Sequence, residues 1–324
     1  MINYFEKIAN KKILITGGLG FVGHNLAKTL LNNYNCNIII IDNCLNSTPK
    51  VIDSFIDRVK YYNMSVLDTD ALFPLLDDVN YIFHLACVQI SHSSKDPLLD
   101  LTVNSISTLK LLEYLRCNKL PSLERLIYTS TTSIYGSSTK LPLEENDTPF
   151  ILNHYAATKL LAENYVNLYN LQYDIPISIV RYSNVYGYGQ SPKNPYCGVI
   201  GKFIHNALTG ETIKIFGDGE QTRDYTFVTD AIRATILAAV HPRALGDIFN
   251  IGTTTESSVN KIAKLITEYL PEVSIEYLPE RDIDNIRRRS VGIAKINRQL
   301  GWIPQVNIEK GIIETIEWYK NSLL

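Results

Sequence analysis

Three side chains have the types and spacing for proton transfer: Thr131, Tyr155 and Lys159. Tyr155 and Lys159 lie four positions apart in HYAATKLLAENYV, a helical pattern, so they share one face. A phenol ionises near pH ~10 in water and is a poor base at neutrality. An ammonium beside it and a cationic ring near it both favour the phenolate and bring it into use. Thr131 falls in the hydroxyl-rich run YTSTTSIYG, at the end of an expected strand. Alone, Tyr-x-x-x-Lys says little: among 20 tyrosines roughly one match arises by chance, and one is found. A surface helix explains it equally well unless its neighbours say otherwise.

They do. KILITGGLGFVG, residues 12–23, runs from an apolar strand into a glycine-rich turn and then a helix. Gly17, Gly20 and Gly23 are spaced three apart, and Gly18, Gly20 and Gly23 also fit G-x-G-x-x-G. Such glycines permit positive φ, bring backbone N–H groups against a pyrophosphate and seat the helix close to its strand. The helix N-terminus then meets the phosphates, placing Phe21 and Val22 beside the glycines. Asp42 ends the second strand about 20 residues on, followed by Asn43, where an acid bonds the adenosine ribose. A carboxylate there repels the extra phosphate of NADP, so the expected cofactor is NAD. Asp42 as a mere turn cap is the competing reading, weakened by the glycines before it.

These residues need a scaffold that brings them to one edge. Strand patterns cover residues 12–16, 37–41, 81–86, 125–130 and 177–182, with helical patterns at 22–32, 97–117 and 155–170. Continuous Ile, Leu and Val strands alternating with helices predict an α/β fold, a doubly wound parallel sheet of the Rossmann type. Beyond Asn184, residues 186–201 read as loop, and the order becomes less regular up to a closing helical pattern at 308–319. The expected division is a cofactor domain of residues 1–183 plus 226–252. A smaller C-terminal substrate domain takes 184–225 plus 253–324.

Composition bounds the partners. A 45% hydrophobic, 20% charged chain of 324 residues has ample core, and its net charge of −2 gives no pull toward nucleic acid or an anionic membrane. The start MINYFEKIANKK is polar, and apolar runs such as 38–41 are only strand length, so no membrane span and a cytoplasmic location are expected. Five cysteines (Cys36, Cys44, Cys87, Cys117, Cys197) lack metal or redox spacing and read as reduced thiols; no metal is expected.

The motifs TGGLGFVG, FHLAC, TSTTSIYG, YAATK, VRYSNVYG and FGDGEQTRDYTFV, in this order, resemble the extended short-chain dehydrogenases/reductases that modify nucleotide-linked sugars. The likeness runs over about residues 11–318. It implies that Tyr155 is the acid/base, Thr131 its hydroxyl partner and a substrate contact, and Lys159 the ribose contact that tunes Tyr155. It implies that Leu85, Ala86 and Asn104 join the cofactor site. Asn184, Arg223 and Arg287, from the run Arg287-Arg288-Arg289, would meet the sugar nucleotide. A homodimer paired through the helices bearing Asn104 and Tyr155 is implied as well. His84, on an apolar strand, reads as a structural histidine. Three positions depart from the pattern: Ser65 ahead of VLD, Cys87 in place of an alanine, and Gly292 in place of an aspartate.

The shared first step of such enzymes is oxidation at sugar carbon 4. A 4,6-dehydratase or a decarboxylase resembling this pattern carries an acidic residue just after the hydroxyl position, where Thr132 and Ser133 stand here. A 4-epimerase needs no such group, so 4-epimerisation is the expected reaction. The alternative is a 4-dehydrogenase or 4,6-dehydratase with its acid supplied from elsewhere. A cofactor-binding regulator without catalysis is the minor alternative, set against the presence of Thr131, Tyr155 and Lys159 together.

Overall fold

Continuous apolar runs build the centre of the protein. In the computed structural model, which describes residues 3–191, 198–280 and 286–323, Lys12–Thr16 forms β1, buried from Ile13 onward. Beside it lie β2 (Asn37–Asp42), β3 (Val59–Asn63), β4 (Tyr81–His84), β5 (Arg125–Thr131), β6 (Ile177–Tyr182) and β10 (Ile248–Ile251). All seven strands are parallel, in the order β3-β2-β1-β4-β5-β6-β10. Helices cover both faces and split the core into two apolar layers, one including Ile13, Ile15 and Ile40, the other Leu14, Ile39 and Ile41. The strand order reverses between β1 and β4, so their carboxyl ends open a crevice there.

Three helices shape that crevice. Helix α1 (Phe21–Tyr34) follows the glycine turn after β1. Helix α2 is not the uninterrupted helix expected over 97–117. It runs as Pro97–Leu101, widens into a π-helical turn at Thr102–Ile106 and ends as Ser107–Asn118. Helix α3 (His154–Tyr173) begins where the Asn153 side chain accepts from the Ala156 N–H at 2.8 Å, and ends at Asp174 in the left-handed region.

Residues after 183 build two small sheets: β7 (Asn184–Tyr186), β9 (Thr222–Phe227) and β11 (Glu256–Ser258) in one, β8 (Ile213–Phe216) and β12 (Ile275–Leu278) in the other. The helix Val199–Thr209 starts within the stretch expected as loop. Asp224 ties this region together. Its buried carboxylate accepts from the Thr253 N–H and hydroxyl at 2.8 and 2.7 Å, from the Thr254 N–H at 3.1 Å and from the Val291 N–H at 3.4 Å. Burial outweighs these donors and pushes the carboxyl from 3.8 up to about 6. A raised acid binds its proton more tightly when folded, so its contribution falls as pH rises from near 4 through 6. Relative to Asp224→Asn, the wild type should lose about 3 kcal/mol between pH 4 and pH 7. Urea unfolding at the two pH values checks this, and a constant gap between the proteins sinks it.

Gly292 also acquires a reason. Its N–H donates to Leu143 O at 2.7 Å, and a Cβ there would sit 2.2 Å from Glu144 Oε1. The Glu144 carboxylate fills the space that an aspartate side chain at position 292 needs. Of the cysteines, Cys36, Cys44, Cys87 and Cys117 are free thiols, and Cys197 lies outside the described residues. Among the described residues no helix is long and apolar enough to cross a membrane.

Candidate active site

The crevice at the β1–β4 reversal is a cleft of about 790 Å³. Gly17, Gly20, Phe21, Val22 and Gly23 line one wall, Asp42 and Asn43 one end, and Leu85 and Ala86 the floor. Thr131, Tyr155 and Lys159 line the other end. Residues far apart in the chain thus converge on one surface, each at a strand's carboxyl end or a helix's first turns.

The glycine turn is a cradle with no room for side chains. Gly17 has φ +68°, and a Cβ on it would meet Ala86 N at 2.7 Å. A Cβ on Gly23 would lie 2.3 Å from Gly17 O, so only glycine lets α1 start this close to β1. Asp42 is fixed by three donors: Leu19 N–H at 3.0 Å, Cys44 N–H at 2.9 Å and the Ser47 hydroxyl at 2.8 Å. Bare backbone at a helix start, with a held carboxylate at the adjacent strand end, fits a dinucleotide whose diphosphate meets α1 and whose ribose meets Asp42.

At the other end, the side chains of Thr131 and Cys87 neighbour the Tyr155 hydroxyl and act on its ionisation. Thr131 Oγ1 in turn accepts from the Ser133 N–H at 3.1 Å, which fixes its position. Burial pushes the Tyr155 phenol well above 10; Cys87 and Asp100 push the same way, and Thr131 opposes them. Burial likewise lowers Lys159, while Cys87, Glu163 and Asp100 act to raise it. The Lys159 ammonium lies 4.2 Å from the centre of the Tyr128 ring, a cation–π contact inside the protein. The chain therefore holds Tyr155 protonated, and ionising it for catalysis needs added positive charge nearby. Turnover should accordingly rise with pH on its acid limb. Cys87→Ala removes one influence that keeps the proton on, so this limb should move to lower pH; an unmoved limb in the kcat/KM profile refutes it.

Other expected site residues are placed differently. Asn104 lies behind the cavity wall: its amide accepts from the Val88 N–H at 2.7 Å and donates to Val88 O at 3.1 Å. The π turn is what lets α2 aim Asn104 at this loop. Asn184 and Arg223 do not line the cleft; they sit on adjacent strands β7 and β9, where Arg223 donates to Thr222 O and Ile286 O at 2.9 and 2.7 Å. Asp224 bonds Thr253, Thr254 and Val291 as described above. Arg287 is exposed and holds Asp218 in a two-bond pair at 2.7 and 2.9 Å; Arg288 pairs with Glu256 at 2.5 Å, and Arg289 is buried. His84 is buried between Thr16 and Thr108, at 2.8 and 3.1 Å, and burial pushes it down to about 3.

One latch escaped sequence reading. Asn25 on α1 donates to Tyr188 O at 3.1 Å, and a Cβ on Gly189 would meet the His24 ring at 2.3 Å. The segment after β7 thus rests directly on the helix of the glycine turn. Nothing in the spacing of His24 and Asn25 signals a partner more than 160 residues away.

A parallel sheet with a dinucleotide cradle and a Tyr–Lys pair at its crevice defines a cofactor-dependent enzyme. The model of the NAD dependent epimerase/dehydratase family matches residues 13–252. The UDP-glucose 4-epimerase of Mycolicibacterium smegmatis is 33% identical over 317 residues, 96% of this chain and 99% of that protein. The UDP-N-acetyl-alpha-D-glucosaminuronate decarboxylase of Bacillus cytotoxicus is 32% identical over 323 residues, 96% and 98% of the two chains. The crystal structure of UDP-glucuronic acid 4-epimerase from Bacillus cereus, in complex with UDP-glucuronic acid and NAD, superposes with a TM-score of 0.87 at 30% identity, covering 96% of this chain and 99% of that one. The chain belongs to the NAD-dependent epimerase/dehydratase family, enzymes of nucleotide-linked sugars in the extended short-chain dehydrogenase/reductase group, and its cofactor is NAD. Relatives of near-equal identity carry different reactions, so the choice among them rests on the site.

Proposed function

We propose that the chain is a nucleotide-sugar 4-epimerase. The observation that carries this is the cleft's single carboxylate: among the described residues lining it, only Asp42 is acidic, and it sits at the ribose end. Thr132, at the position after Thr131, is 2% exposed and buried, and Ser133 follows it without a charge. A dehydratase or decarboxylase of the kinds considered above needs an extra acid beside the sugar; this cleft offers none.

When bound, NAD supplies a cationic acceptor that takes hydride from sugar carbon 4 and returns it. The protein's own part is proton transfer and orientation. Tyr155 as phenolate takes the proton of the 4-hydroxyl, with Thr131 bonding the same oxygen, and gives it back when the hydride returns. Lys159 contributes positive charge behind Tyr155 and a contact to the nicotinamide ribose. Asn184 and Arg223, neighbours on β7 and β9, are assigned to the sugar nucleotide, with the Arg287 segment reaching its diphosphate once released from Asp218. Because the keto sugar takes hydride back on its other face, no net redox partner is required.

The exposed apolar side chains Leu98 and Ile106 on α2 and Leu161, Leu168 and Leu171 on α3 support pairing of two copies along these helices. The test of the reaction is a panel of UDP-, GDP-, dTDP- and CDP-sugars incubated with purified protein without added NAD. Exchange of one sugar for its 4-epimer, seen by NMR at constant mass, is the expected result. A product lighter by 18 or 2 mass units refutes the proposal.

A further inference from the structure

The catalytic residues stand in front of a buried acid that the mechanism above does not use. Asp100, in the first turns of α2, is 0% exposed. Its Oδ1 accepts from the Asn104 amide and from the Thr158 hydroxyl, the latter at 3.1 Å. Asn104 also donates to Thr158 at 3.3 Å and holds Val88 on both its N–H and its carbonyl. Ser105 adds a bond from its hydroxyl to Thr158 O at 2.8 Å. Thr158 is the residue immediately before Lys159 and three after Tyr155, so the network grips α3 between the two catalytic side chains. The same network grips the loop carrying Cys87.

Oδ2 of Asp100 has no hydrogen-bond partner among the described residues. Burial pushes the Asp100 carboxyl up from its ordinary range, and the groups that face it, Ser93 from the short helix Ile90–Ser93 and Thr158, His154 and Lys159 from α3, hold it down. Its charge is felt by Tyr155, Lys159, Cys87 and Tyr128. A negative charge in a site of low polarity acts over several ångströms with little screening. It therefore opposes a second negative charge on Tyr155 and favours the positive one on Lys159.

We propose that Asp100 is a positioning residue that binds Asn104 to Thr158, and whose charge keeps Tyr155 from ionising until the cofactor's positive ring is seated. The proposal rests on the reading of Tyr155 as the acid/base. Its logic is protective: a phenolate formed in an empty site would share its buried surroundings with the Asp100 carboxylate, and Asp100 makes that state costly. The positive charge that NAD would supply when bound beside Tyr155 would offset that of Asp100.

The test reads Tyr155 without turnover. Protein labelled with 13C at tyrosine Cζ gives a resonance for Tyr155, assigned as the one missing in Tyr155→Phe. Titration is carried out with and without bound NAD. Asp100→Asn keeps an acceptor for Thr158 and removes the charge. The expected result is a Tyr155 midpoint lower by about one pH unit, a tenfold change in ionisation constant, in the variant. The gap between the free and NAD-bound midpoints should shrink as well. In the wild type the same resonance should carry a small second inflection where Asp100 ionises, a readout that survives if the variant does not fold. Identical midpoints in the two proteins overturn the proposal, as does a Tyr155 that stays protonated to the alkaline limit of folding in both, or a wild-type curve without the second inflection. Failure of the catalytic reading looks different: Tyr155→Phe would then retain full turnover on the sugar panel.

Discussion

Tyr155→Phe should lower kcat by about 10²- to 10⁴-fold while NAD binding and the thermal midpoint stay near wild type. The substitution removes one oxygen from a ring whose other atoms already fill the end of the cleft, so it leaves no cavity. On the proposed mechanism, what it removes is the proton acceptor for the 4-hydroxyl. The hydroxyl that remains, Thr131, is held by the Ser133 N–H. Because the effect lies on the chemical step, KM for the sugar nucleotide should change far less than kcat. Single-turnover reduction of bound NAD by the sugar gives the clearest measurement. A variant that reduces its NAD at the wild-type rate would falsify the assignment of Tyr155.

The second large effect concerns stability. Glu163, one turn beyond Lys159 on α3, meets Arg181 of β6 in a pair whose side chains are 3% and 6% exposed. Arg181 donates through Nε to both Glu163 oxygens, at 3.2 and 3.1 Å. It also donates to the Tyr135 hydroxyl at 2.6 Å and to Glu145 O at 2.9 Å. Tyr135 passes the bond on to Asn250 of β10 at 2.8 Å. Removing one partner leaves the other charge buried without its counter-ion, at a cost of about 3–5 kcal/mol. Arg181→Met and Glu163→Gln should each lower stability by this much in urea unfolding. The double replacement Arg181→Met with Glu163→Leu should recover much of the loss, because no uncompensated charge remains. Single variants within about 1 kcal/mol of the wild type would show that water reaches the pair.

The legible parts of this protein are those written in local chemistry. Lys12–Thr16, Asn37–Asp42 and Ile177–Tyr182 are buried runs of aliphatic residues, and such runs announce strands without help from context. The glycine turn, Asp42, Thr131, Tyr155 and Lys159 could be placed on one cleft because each lies at a strand end or a helix start, where this architecture gathers ligands. β3 (Val59–Asn63) was missed: VKYYN mixes polar and aromatic residues, as suits an edge strand only partly buried. The π turn in α2 was equally invisible, since one extra residue per turn does not break an apolar pattern. Arg287 shows the limit for charges. A run of three arginines marks the segment, but the partners of Arg287 and Arg288 are fixed by the loop at Asp218 and by β11, which no local spacing encodes. The Glu163–Arg181 pair hid for the same reason, its members meeting only once α3 lies on the sheet.

The contact between Asn25, His24 and the Tyr188–Gly189 segment bears on time as much as on place. The segment after β7 and the helix of the glycine turn cannot part without breaking the Asn25–Tyr188 bond and unpacking His24. A dinucleotide seated at the glycine turn would leave more slowly while this fastening holds. If the proposed 4-epimerisation holds, a catalyst that restores its own oxidant in every cycle would gain from that: the dinucleotide would stay through many turnovers, as a built-in part rather than a second substrate, and the rate would not follow the NAD concentration of the surroundings.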